Sequence, residues 1–125
     1  MKILVVDDEG IVLNSCRRIL AAEGFEVTVA SSVDEALTLL ATATEPLPLL
    51  LVDVKMPVHD GMCLIQQIRQ KGLDLKIIVM SGYPTEETIE RAGLIGAATF
   101  IAKPFTPEEL LETVLSVAGK DKSHE

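Results

Sequence analysis

The stretch Ile3-Leu4-Val5-Val6-Asp7-Asp8-Glu9 decides the fold. Its first four residues form an unbroken aliphatic run, the pattern of a strand buried on both faces. Strands of that kind belong to parallel sheets, whose crossover helices cover both sides. The chain beyond repeats the theme. Val12, Leu13, Cys16, Ile19 and Leu20 recur at a helical period and predict one inward helix face, with Gly24 just past its end. Glu26 to Ala30 reads as a second strand. Ser32-Val33-Asp34-Glu35 reads as a capping box, the serine accepting from a backbone N–H and the glutamate reaching back. The helix it opens is expected to bury Val33, Ala36, Leu37 and Leu40, and Pro46 and Pro48 punctuate the loop that follows.

Leu49-Leu50-Leu51-Val52 is a third buried strand ending at Asp53. A loop bent at Met56-Pro57, with Gly61 relieving a backbone constraint, leads to a helix with Leu64, Ile65 and Ile68 inward, closed near Gly72. Lys76 to Met80 is the fourth strand, ending at Ser81. Thr85 is expected to cap a fourth helix running to about Ala92, and Gly93 to Gly96 reads as a helix end. Few large apolar residues lie in that helix, so it is expected to be the least firmly packed. Ala98 to Ala102 is a short fifth strand. Thr106-Pro107-Glu108-Glu109 is the strongest helix start, with Leu110, Leu111, Val114 and Leu115 expected to face the core. Five βα units predict an α/β doubly wound parallel sheet. Periodicity alone leaves open which of the two common strand orders it takes.

The 125 residues suit one domain, and 48% hydrophobic content supplies one core. The net charge of −8 argues against contact with nucleic-acid phosphates, and 3% aromatics argues against a base-stacking platform. Cys16 and Cys63 lie in apolar helical patterns and read as buried, inert thiols. With His59, read as a solvated loop residue, and His124 they lack zinc spacing. The aliphatic run after Met1-Lys2 meets acids instead of a cleavage site, and no apolar run reaches membrane-spanning length. A soluble, cytoplasmic protein without membrane contact is expected.

Parallel α/β sheets bind ligands at the carboxyl ends of their strands. The first strand ends in Asp7-Asp8, the third in Asp53, the fourth in Ser81, and the fifth is followed by Lys103-Pro104. The second ends in Ala30-Ser31-Ser32, which is only a helix cap, and is expected to be an edge strand. Asp7, Asp8 and Asp53 would converge, and clustered carboxylates repel unless a cation sits among them. Mg²⁺ suits such a set, with Mn²⁺ admitted as a substitute. Asp53, alone at a central strand end, is the best nucleophile for an aspartyl phosphate. Asp7 and Asp8 are the better metal ligands. Lys103 would neutralise phosphoryl oxygens and the Ser81 hydroxyl would donate to one.

Val5-Val6-Asp7-Asp8-Glu9, Asp53-Val54-Lys55-Met56-Pro57-Val58-His59-Asp60-Gly61, Met80-Ser81-Gly82 and Lys103-Pro104-Phe105 together resemble the receiver domains of two-component response regulators. The resemblance implies a flavodoxin-like (βα)5 fold with strand order 2-1-3-4-5. It assigns residues 1–119 to the receiver and 120–125 to a polar tail or linker start. It implies that Asp53 accepts a phosphoryl group from a histidine kinase or histidine phosphotransfer protein. It implies Mg²⁺ on Asp8, Asp53 and the Lys55 backbone carbonyl, with Asp7 partly through water, and a cis bond between Lys103 and Pro104. The receiver would catalyse only its own phosphorylation and dephosphorylation. Ser81 and Phe100 fall on the switch pair, and Phe100 has no hydroxyl to hydrogen-bond. Lys55 and Tyr83 fall on positions that tune hydrolysis, where Tyr83 would shield Asp53 from water. Ile11, Asn14, Ser15, Pro104 and Phe105 match the surface offered to kinases. The face of the fourth helix, fifth strand and fifth helix would change on phosphorylation, control an output and offer a homodimer surface. A metal-dependent phosphatase with an aspartyl intermediate is the alternative, but it wants Asp-x-Asp after the first strand. A nucleotide or flavin binder needs a Gly- or hydroxyl-rich loop where Asp7-Asp8-Glu9 stands.

Overall fold

The aliphatic runs do form strands, and their neighbours in space are not their neighbours in sequence. A computed structural model describes residues 2–43, 47–54, 61–82, 86–94 and 96–118. Pro46, Lys55, Met56, Pro57, His59, Tyr83, Thr85 and the segment 119–125 with His124 lie outside the described residues. The elements are β1 (Lys2–Val6), α1 (Gly10–Ala22), β2 (Glu26–Ala30), α2 (Val33–Thr42), β3 (Leu49–Asp53), α3 (Gly61–Gln70), β4 (Lys76–Ser81), α4 (Glu86–Leu94), β5 (Thr99–Ala102) and α5 (Pro107–Ala118). The strands make one sheet in the order β2-β1-β3-β4-β5, every pair parallel. This is the flavodoxin-like order, with β2 at an edge.

Alternation along the strands builds two cores. Leu4, Val6, Leu50, Val52, Ile77 and Val79 meet Val33 and Ala36 of α2, Leu64, Ile65 and Ile68 of α3, and Ala92 of α4. Ile3, Val5, Leu49, Leu51, Ile78 and Met80 meet Leu13, Cys16 and Leu20 of α1 and Leu110, Val114 and Val117 of α5. The central strands β1, β3 and β4 are buried on both sides, whereas β2 and β5 keep partly exposed positions.

Helix ends follow local chemistry. The Glu109 N–H donates to Thr106 Oγ1 at 3.1 Å while the Thr106 N–H donates to the Glu109 carboxylate at 2.8 Å, a complete capping box. At α2 only half of the expected box is seen. The Glu35 N–H donates to Ser32 Oγ, but the Glu35 carboxylate accepts from the Ser31 hydroxyl at 3.3 Å. Gly24, at φ +92°, lets the Gly24 and Phe25 N–H groups turn back onto the Ala21 and Leu20 carbonyls and end α1.

Two inward assignments and one strand boundary need correction. Leu115 is 47% exposed, because the buried row of α5 runs Leu110, Val114, Val117 and leaves Leu115 beyond its edge. Cys63 is only half-buried and lies 3.4 Å from the donating Gln67 side chain, while Cys16 is fully buried. β5 begins at Thr99, since Ala98 bonds to Ile77 ahead of the paired register.

Candidate functional site

The parallel register brings the carboxyl ends of the strands level, with Val6 beside Val52, Asp53 beside Met80, and Ser81 beside Ala102. Asp7 and Asp53 continue the rows of Val5 and Leu51, two residues on, toward the α1 and α5 side. Backbone bonds fix both strand ends: the Asp7 N–H donates to the Ala30 carbonyl and the Val54 N–H to the Met80 carbonyl. One carboxylate oxygen each from Asp7, Asp8 and Asp53 lies within 4.8 Å of the others. Asp7 and Asp53 are buried, and Asp8 is exposed.

Lys103 completes the group. Its Nζ lies 2.6 Å from Asp7 Oδ2, 2.9 Å from Asp53 Oδ2 and 3.5 Å from Glu9 Oε1. The Lys103 N–H donates to the Ser81 carbonyl at 2.8 Å, and the Lys103–Pro104 bond is cis. Burial alone would lower the Lys103 pKa, but its close contacts with the Asp7 and Asp53 carboxylates and their charges outweigh that and raise it. Asp7 is shifted the other way from a normal ion pair. Burial raises its pKa, opposed by the Lys103 contact and by the Glu9 N–H, which donates to Asp7 Oδ1 at 2.9 Å. Beneath it, burial and the Asp7 charge push the Cys16 thiol up to about 12, so Cys16 stays protonated and inert.

The donor set is all hard oxygen, and fully buried Asp7 Oδ2 has an ion-pair contact but no well-directed hydrogen bond. Such a set fits an oxygen-ligated divalent cation such as Mg²⁺. Ser81 is fully buried at the end of β4. Phe100 is half-buried on the other side of the sheet from Lys103, packed against the core shared by α2, α3 and α4.

Gly61 works by space. A Cβ there would collide with the Asp53 carbonyl oxygen and stand 2.9 Å from Val54 Cα, while its N–H donates to the Val54 carbonyl at 3.1 Å. The start of α3 thus lies directly on the backbone that carries Asp53. Next to the acids, Ile11, Ser15, Pro104 and Phe105 line one groove of about 580 Å³ with Glu9, Val12, Gly82 and Lys103. Asn14 does not line it. Sequence reasoning gave no role to Glu9, whose only signal was a third consecutive acid, or to the closeness of Gly61 to Asp53.

The response regulator receiver domain family model matches residues 3–115. The chain belongs to that family. This receiver domain is 39% identical over 124 residues to response regulator MprA of Mycobacterium avium, covering 98% of the chain and 53% of MprA. Response regulator SaeR of Staphylococcus aureus is 27% identical over 122 residues, with 52% of its length covered. The chain thus spans about half the length of these curated relatives. Among solved structures, a CheY-like receiver domain from Methanospirillum hungatei superimposes with a TM-score of 0.88 at 31% identity, covering 99% of this chain and 98% of that one. NtrX from Brucella abortus matches at 0.83 and 30% identity over 97% of this chain and 26% of its own. The phosphatase alternative gains no support from these relatives. Among the described residues, no helix is long and apolar enough to cross a membrane.

Proposed function

We propose that this receiver takes a phosphoryl group onto Asp53 from the phosphohistidine of a kinase or phosphotransfer protein. The observation that carries the reading is the Lys103 ammonium held between the buried Asp7 and Asp53 carboxylates. An Asp53 oxygen forms the new O–P bond as the donor N–P bond breaks, and the imidazole leaves to take up a proton. Lys103 exchanges one Asp53 oxygen for a phosphoryl oxygen and neutralises it. Ser81 donates its hydroxyl to another. Asp7, Asp8 and Asp53, with the Lys55 backbone carbonyl, would hold Mg²⁺, or Mn²⁺ in its place, which supplies charge neutralisation when bound.

The groove of Ile11, Ser15, Pro104 and Phe105 beside Lys103 supports kinase docking there. Phe100 and weakly packed α4 support a conformational readout, and exposed Ile89, Leu94 and Leu115 support the α4-β5-α5 face as the surface for output or self-association. Tyr83 and Lys55 remain assigned to tuning hydrolysis. The reaction has a direct test. With Mg²⁺ and a small acyl phosphate, intact mass should show one phosphoryl adduct, absent in Asp53→Asn. An adduct that survives Asp53→Asn, or none on the wild-type chain, would refute the reading. Lys103→Met should slow labelling about a hundredfold, as loss of one stabilising donor does elsewhere.

A further inference from the structure

α4 has little to hold it. Among its described side chains only Ala92 is buried, while Ile89 is 47% and Leu94 84% exposed. One buried methyl group contributes little apolar stabilisation. A stronger attachment comes from the neighbouring helix. Arg69, in the last turn of α3, donates from Nη2 to the Gly96 carbonyl at 2.7 Å and from Nη1 to the Leu75 carbonyl at 3.4 Å.

Those carbonyls belong to the two loops that return from α3 and α4 to the sheet. Gly96, at φ +87°, closes α4: its N–H donates to the Gly93 carbonyl, and the Ala97 N–H donates to Ala92. The guanidinium lies so close that a Cβ on residue 96 would stand 3.1 Å from Arg69 Nε. One planar cation therefore sits at the negative ends of two helices and ties both backbones. It does so at the amino ends of the strands, opposite the acidic site at their carboxyl ends, because the loops lead into β4 and β5. Arg69 is exposed, so water competes for its bonds and the tie is reversible.

We propose that Arg69 is a latch that fixes the C-terminal end of α4 to α3 and sets how freely α4 pivots about that end. Its meaning for switching rests on the phosphoacceptor reading above; the latch itself does not. Holding α4 in place would restrain the unphosphorylated state, and releasing it would shift the population toward the moved helix.

Hydrogen exchange without any phosphodonor tests the latch in the wild-type chain, Arg69→Met and Arg69→Lys. Amides of residues 86–97 should exchange about tenfold faster in Arg69→Met, as loss of a charged hydrogen bond predicts, with β1 and β3 unchanged. Arg69→Lys should keep only part of the protection, because an ammonium lacks the planar fork that meets two carbonyls. Unchanged exchange in Arg69→Met, acceleration spread over the whole sheet, or full protection in Arg69→Lys would each overturn the latch. Acyl phosphate labelling of the same proteins tests the switching role. Arg69→Met should label several-fold faster, and equal or slower labelling would overturn that role. If the wild-type chain does not label, the phosphoacceptor reading fails and the switching role with it, while the exchange result still decides the latch.

Discussion

α4 and α5 flank the same short strand, β5, and are held in opposite ways. α5 starts from a reciprocal capping box and buries Leu110, Val114, Val117 and Ala118. α4 buries Ala92 and is tied at one end by a surface arginine. The difference follows from side-chain size, since both helices are amphipathic, but the inward row of α5 is made of Leu and Val. It also matches the division of chemistry. Lys103 leaves β5 directly into the loop that α5 anchors, so the cation is held at fixed distances from Asp7 and Asp53. Phe100, on the opposite side of β5, packs toward the loosely held helix. On the proposed reading, a rigid reaction centre and a movable reporter would share one strand.

Substitutions should expose this asymmetry. Leu110→Ala removes a fully buried anchor of α5 and should cost about 3 kcal/mol in chemical denaturation. A loss below half of that would mean that α5 is no better anchored than α4. Gly61→Ala forces a Cβ into the Asp53 carbonyl and should cost about 2 kcal/mol while also slowing acyl phosphate labelling. Normal labelling would show that the backbone under Asp53 yields more easily than the rigid side is expected to.

Asp7→Asn should act with the opposite sign. Burial raises the Asp7 pKa, so the folded state favours its protonated form. Its contribution to stability is full below the ordinary carboxyl value of 3.8 and is lost as pH rises through the folded value. Without metal, Asp7→Asn should therefore melt higher than wild type at neutral pH, and the gap should close toward acid. Mg²⁺ should stabilise the wild-type chain and narrow the gap at neutral pH. A lower melting temperature for Asp7→Asn would show that the Lys103 contact outweighs burial. Smallest of all, Ile89→Ala on the exposed side of α4 should change stability by no more than about 0.5 kcal/mol.

Central strands were easy to read because burial on both faces leaves no polar interruption, as in Leu49-Leu50-Leu51-Val52. The edges were harder: β5 has four residues, and Ala98 bonds to the sheet without joining its register. The acids at strand ends could be named from sequence, and the resemblance fixed the strand order that periodicity left open. What sequence could not supply was closeness. Leu115 misled because an apolar residue one step past the buried row looks like a member of it. Gly61 could be read as a bend residue, but that α3 begins against the Asp53 backbone is a fact of packing. Arg69 carries no motif, since its partners are carbonyls, which every residue possesses.

The Lys103 contacts also have a consequence in time. Lys103 meets Glu9 across 94 residues of chain and Asp53 across 50. A ribosome delivers the acids first and Lys103 later, so a nascent chain carries the carboxylates before the lysine can bridge them. On the proposed reading, phosphoacceptor chemistry on Asp53 would await the docking of the fifth strand. Reactivity becomes a report that synthesis and folding have both reached the far side of the sheet.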